Sequence, residues 1–130
     1  LIAINLLEVM AHSVKTEEAD FFCPVIDARR MEVFMAVYDK NMETVVAPCA
    51  MIVEPGSFYS WQARGRIIFI GNGSEKIKQT IDHSNTVFSS RVVSSMDMIK
   101  LSANNFGEKK FVDPAYVEPL YIKEFYSAAR

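Results

Sequence analysis

The sequence predicts an α/β layer structure in which a mixed sheet carries helices on its faces. In EVFMAVYD, Val33, Met35 and Val37 point to one side of a strand and Phe34, Ala36 and Tyr38 to the other, so both faces are apolar and both need cover. RIIFI, residues 66 to 70, is a continuous β-branched and aromatic run bounded by Gly65 and Gly71, and it leads through a glycine turn into GNGSEKIKQTI. The opening LIAI reads as a further strand that feeds a helix, as at a βα junction.

The elements follow in order. Asn5 and Glu8 have the spacing of a capping box, and Leu6, Leu7, Met10, Ala11 and Val14 recur at helical spacing after the cap. CPVIDA and EVFMAVYD are two β-rich runs separated by Arg29, Arg30 and Met31, which is a hairpin pattern, with Asp27, Arg29, Arg30 and Glu32 pairing around its turn. Asp39 to Met42 forms a polar turn before ETVVAPCAMIV, where Pro48 and Pro55 confine the chain to a sheet edge or to an irregular path after Ala47. Ser57 is placed as the N-cap of a short helix holding Phe58, Trp61 and Gln62. After RIIFI a short helix starts near Ser74, and NTVFSS reads as another short strand. SMDMIKLSANNF reads as a helix with Met96, Ile99, Leu101 and Ala103 on or near its buried side, ended by Gly107. Pro114 and Pro119 forbid a regular helix in DPAYVEPLYIKEF, which is expected to lie extended over the domain.

The 130 residues fit one domain with its own core. With 50% hydrophobic and 23% charged residues the composition is that of a globular protein and excludes disorder over most of the chain. A net charge of −2 gives no general footprint for nucleic acid, so if RNA is involved a partner supplies much of the contact. Cys23 and Cys49 form no CxxC and sit in apolar runs, which favours free thiols of a reducing compartment over a disulfide. No apolar run approaches the roughly 20 residues of a membrane span, and Leu1 to Leu7 lacks the basic start of a signal peptide, so a cytoplasmic location is expected. The chain starts at Leu1, without Met, inside strand-like sequence, which predicts a fragment whose upstream part is missing.

The chemistry-bearing motifs are few. Gly71-Asn72-Gly73 stands between a strand and a helix, where backbone N–H groups can cradle a phosphate, but the fuller dinucleotide and Walker A patterns are missing and a tight βα turn is favoured. His12 and His83 have no second His or Cys at metal-ligand spacing, and neither GNGSEK nor PGSFYS completes GxSxG. Seven methionines are scattered as gap-filling core residues, and Trp61 beside Phe58 reads as core more simply than as a binding platform.

Together, IDARRMEVFMAVYD, the spaced IIFIGNG, the closing AYVEPLYIKEF and the opening LIAINLLEVMAHSV resemble the bacterial TsaB family, also called YeaZ, from the first residue nearly to the last. The family's amino-terminal half, with its GPGSFTG-type loop, has no counterpart in this sequence. The resemblance implies an RNase H-like lobe of the sugar-kinase/actin-like fold, mostly the second of two lobes. It also implies a non-catalytic scaffold in the synthesis of tRNA N6-threonylcarbamoyladenosine, with no cofactor of its own. The partners implied are a TsaD-type catalytic subunit and a TsaE-type ATPase, with tRNA reached through the complex and a homodimer left open. Pairing with the TsaD-type subunit, by resemblance, uses mainly helices of the first lobe. Arg29 and Arg30 are the expected contact residues for a protein or tRNA neighbour, and Gly71, Asn72 and Gly73 the candidate nucleotide contacts of the alternative, a nucleotide-dependent enzyme of the same superfamily. A third reading is a small-molecule or peptide-binding lobe that uses the tail around Tyr116 to Tyr121.

Overall fold

The computed structural model describes residues 1–123. One mixed sheet holds β1 (Phe21–Asp27), β2 (Glu32–Asp39), β3 (Thr44–Ile52), β4 (Ile67–Ile70) and β5 (Thr86–Phe88), in the order β3-β2-β1-β4-β5. Short turns make β1, β2 and β3 an antiparallel meander, with Val25 opposite Met35 and Met35 opposite Cys49. β4 pairs with β1 in parallel, as β5 does with β4, and the crossover between them contains α3 (Ser74–Thr80).

The alternation read from β2 is the division of the core. Val33, Met35 and Val37 join Cys23, Val25, Ile67 and Phe69 on one face, beneath Phe58, Ile77 and Ile81. Ala36 and Tyr38 join Phe22, Ile68 and Ile70 on the other, beneath Leu7, Met10, Ala11 and Val14 of the first helical segment. On the first face Phe69 meets the Phe58 ring edge-on at 4.8 Å and stacks on Phe88 at 5.7 Å, while Trp61 packs edge-on against Phe21. Trp61 thus belongs to the core, as its sequence context predicts.

Helix α1 (Leu6–Ser13) begins where expected, and Asn5 caps it by accepting from the Leu7 N–H at 2.8 Å rather than from Glu8. Its buried residues include Val9, whereas Leu6, expected inside, is exposed. Residues 1–4 are not a strand. A strand requires a ladder, and among the described residues the main-chain bond these residues make is a single one, from the Val112 N–H to the Leu1 carbonyl. β3 is an edge strand, as Pro48 demands, and its pairing with β2 shifts register twice, once between Cys49 and Val46 where Pro48 sits.

Ser57 is not the cap of α2 (Tyr59–Gln62), whose N-cap is Phe58. Its hydroxyl accepts from the Glu54 N–H at 2.8 Å and so closes the preceding turn, where a Ser side chain competes equally well for backbone donors. Further on, a 3-10 turn over Ser95–Met98 precedes α4 (Ile99–Gly107), and only Leu101 of the expected Met96, Ile99, Leu101 and Ala103 face is buried. The tighter 3-10 winding changes the angular phase ahead of α4, so a single helical stripe does not run through both segments.

α4 ends at Gly107, but the left-handed residue that closes it is Lys109, with φ of +56°. The Lys109 and Lys110 N–H groups bond back to the Phe106 and Asn105 carbonyls, the Schellman arrangement. The following segment is extended, with a turn at Asp113–Val117, and it crosses back to the sheet where Ile122 packs against the α1-side core and Lys123 meets Glu32 at 2.5 Å. Glu124 and Phe125 of the closing motif lie outside the described residues. No helix among the described residues is long and apolar enough to cross a membrane.

Candidate functional site

β1 and β4 run parallel, and β4 ends with Ile70 opposite Pro24 while β1 continues to Asp27. From there β1 turns toward β2 on one side and β4 toward α3 and β5 on the other, so their carboxyl ends form a switch point, the place where open α/β sheets take ligands. Gly71, Asn72 and Gly73 all lie at this switch point. Gly71 has φ of +115°, and a Cβ there would overlap the Val25 carbonyl oxygen and the Met10 side chain. A Cβ on Gly73 would stand 3.1 Å from the backbone of Val25 and Ile26.

Several of the turn's polar groups are committed to the fold, while the buried Ser74 hydroxyl has no partner among the described residues. The Gly73 N–H donates to the Val25 carbonyl at 3.1 Å, and the Ser74 N–H to the Gly71 carbonyl at 3.1 Å. Asn72 Oδ1 accepts the Asp27 N–H at 2.8 Å, tying the end of β1 to the turn after β4. This is the geometry of a tight βα turn that closes the edge of the sheet.

Arg29 and Arg30 form the tip of the β1–β2 hairpin, both in left-handed backbone conformation, with φ of +79° and +46°. Both are exposed, and among the described residues neither guanidinium is in an ion pair. The expected pairing among the hairpin's own charges is replaced by longer-range partners. Asp27 accepts from Lys76 Nζ at 2.7 Å and from the Arg29 N–H at 2.8 Å, and Glu32 pairs with Lys123. Lys76 Nζ also donates to the Glu32 carbonyl at 3.0 Å, so one α3 side chain clamps both strands of the hairpin. The Lys76 ammonium, and after it the Arg29 N–H, hold the Asp27 carboxyl below the usual carboxylate range. Lys76 is the residue that sequence reasoning missed, because nothing in SEKIKQT shows that α3 docks its first turn beside the hairpin.

A groove of about 580 Å³ opens beside the glycine turn, walled by Leu6, Val9 and Met10 of α1, by Ile26, and by Val92 and Val93 of the segment after β5. Its lining is mainly apolar, with Asn72, Arg91, Ser94 and Ser95 as its polar members. The other chemistry-bearing side chains lie elsewhere. His83 Nδ1 accepts the Asn85 N–H at 3.0 Å and closes a turn. Burial pushes the Cys23 thiol well up, with the neighbouring Cys49 adding to it, and burial raises Cys49 as well, so both are protonated thiols at neutral pH. Burial and Glu8 push the Tyr38 hydroxyl up to about 12. No group of three His, Cys, Asp or Glu side chains among the described residues is placed to hold a metal ion.

No protein-family model matches the chain, and no curated protein matches it. Solved structures do. The chain is similar to a Pseudomonas aeruginosa protein described as having similarity to peptidase YeaZ, with a TM-score of 0.76 and 18% identity, covering 94% of this chain and 58% of that one. It is also similar to YeaZ from Pseudomonas aeruginosa, with a TM-score of 0.73 and 19% identity over 92% of this chain and 57% of that one. The chain thus spans less than three fifths of the length of these neighbours, and over that length it has their fold, a mixed sheet with flanking helices as the sequence predicts, here of five strands.

Proposed function

We propose that the chain is a non-catalytic scaffold lobe of the machinery that makes N6-threonylcarbamoyladenosine in bacterial tRNA, working in the cytoplasm with a TsaD-type catalytic subunit and a TsaE-type ATPase. The observation that carries this reading is the YeaZ-like fold over 94% of the chain. The glycine turn agrees with it, since the Gly73 and Ser74 N–H groups that would cradle a nucleotide phosphate are bonded to the protein's own carbonyls. The guanidinium groups of Arg29 and Arg30 at the hairpin tip, in no ion pair among the described residues, are the proposed contact with a protein or tRNA neighbour.

Light scattering tests the partnership. Mixing a TsaD-type subunit with the full-length protein should give a complex, while this chain alone should give little or none, because the pairing is assigned to a first lobe. Equal binding by the isolated chain would place the interface on this lobe instead, and failure of the full-length protein to bind would end the proposal. Calorimetric titration with ATP and Mg²⁺ addresses the alternative enzyme: micromolar binding with turnover in the absence of a partner would favour it.

A further inference from the structure

We propose that the cavity between the end of α1 and the start of α4 is a binding site for the phosphate group of a ligand, held by Lys15, Lys100 and His12. The cavity measures about 320 Å³, and it receives His12, Lys15 and Thr16 from one wall and Arg91, Asp97 and Lys100 from the other. It lies apart from the glycine turn, and the inference does not rest on the scaffold reading.

The charge pattern is what points to an anion. Lys15 and Lys100 face the same cavity, and the neighbouring ammonium holds Lys15 below its ordinary pKa. His12, half-buried in the same wall, is lowered by burial and then by both lysines. The one carboxylate lining the cavity is already engaged, since Asp97 accepts from Arg91 at 2.5 Å and from the Ser94 N–H at 2.8 Å. Among the described residues neither lysine is in an ion pair. Like charges crowded at short range repel, and a phosphate between them turns that repulsion into two charge-assisted hydrogen bonds. The imidazole of His12 and the hydroxyl of Thr16 supply further donors on the same wall.

Two sources share this chemistry, a small phosphorylated molecule and the backbone of an RNA strand, and an NMR titration of the chain with inorganic phosphate and, separately, with a short single-stranded RNA distinguishes them. The expected result is saturable phosphate binding at low ionic strength, with amide shifts centred on Ser13–Thr16 and Asp97–Leu101. Lys100→Gln should weaken it about tenfold and Lys15→Gln with Lys100→Gln should abolish it, each lysine contributing one charged hydrogen bond. RNA that binds more tightly than phosphate, and is lost with the same double variant, identifies the strand as the source; phosphate binding without RNA binding identifies the small molecule. Absence of saturable shifts, or shifts that survive the double variant, would overturn the site. Because neither lysine is buried or in an ion pair among the described residues, both variants should melt like the parent. As a readout that needs no variant, phosphate should raise the parent's melting temperature, and no rise would count against the proposal.

Discussion

The sheet and the segment that follows it, residues 89 to 123, are both rich in apolar side chains and treat them in opposite ways. In β4 all four residues are buried, and β1 and β2 bury side chains on both faces because α1 covers one side of the sheet and α2 and α3 the other. After β5, Val92, Met96, Ile99, Phe106 and Tyr116 are all exposed by more than half, while Leu101 is buried. The difference shows that composition measures only how much apolar surface is on offer. Burial follows from whether a second layer is present, and strands at the centre of a sheet have one on each side.

The largest test of this contrast is a pair of truncations. Phe69→Ala should cost about 3–5 kcal/mol in urea unfolding, since its ring is wedged between Phe58 and Phe88, whereas Phe106→Ala should cost less than about 1 kcal/mol. Comparable losses would show that the later segment has a core of its own. Next in size, Gly71→Ala should destabilise by about 2 kcal/mol or more with no ligand present, through its positive φ and the overlap with Val25. An unchanged thermal midpoint would remove the structural reason for that glycine.

A gain is expected in the exposed segment. Lys109→Gly should stabilise by about 1 kcal/mol, because glycine takes the left-handed helix-closing conformation without a Cβ penalty, and slower amide exchange at the end of α4 would report it. The smallest effect belongs to the hairpin tip. Arg29→Ala with Arg30→Ala should change stability by no more than about 0.5 kcal/mol, as alanine meets the same left-handed backbone and no ion pair among the described residues is lost. Unfolding of that variant would give the arginines a structural role and take away the motive for a contact there.

Much of the fold was legible from residues 21 to 88. Period-two alternation in β2, the glycine-bounded run of β4 and the proline-marked edge at β3 are local patterns, and each has one consistent outcome once a sheet forms. LIAI had the composition of a strand without a neighbour to pair with among the described residues, and the Ser57 hydroxyl closed the turn at Glu54 instead of capping α2. The candidate sites were less legible still. Arg29 and Arg30 were visible as charges, but their freedom depends on Lys76 and Lys123 taking the neighbouring carboxylates from α3 and from the tail. Lys15 and Lys100 became a pair only when the end of α1 met the start of α4.

By itself, then, the sequence determined the order of the central strands along the chain, which of their faces are apolar, and that a glycine turn follows β4. The tertiary structure decided which charges meet, which apolar side chains stay in water and what the glycine turn bonds to. Propensity and periodicity act over a few neighbouring residues, while pairing and burial depend on segments brought together from distant parts of the chain.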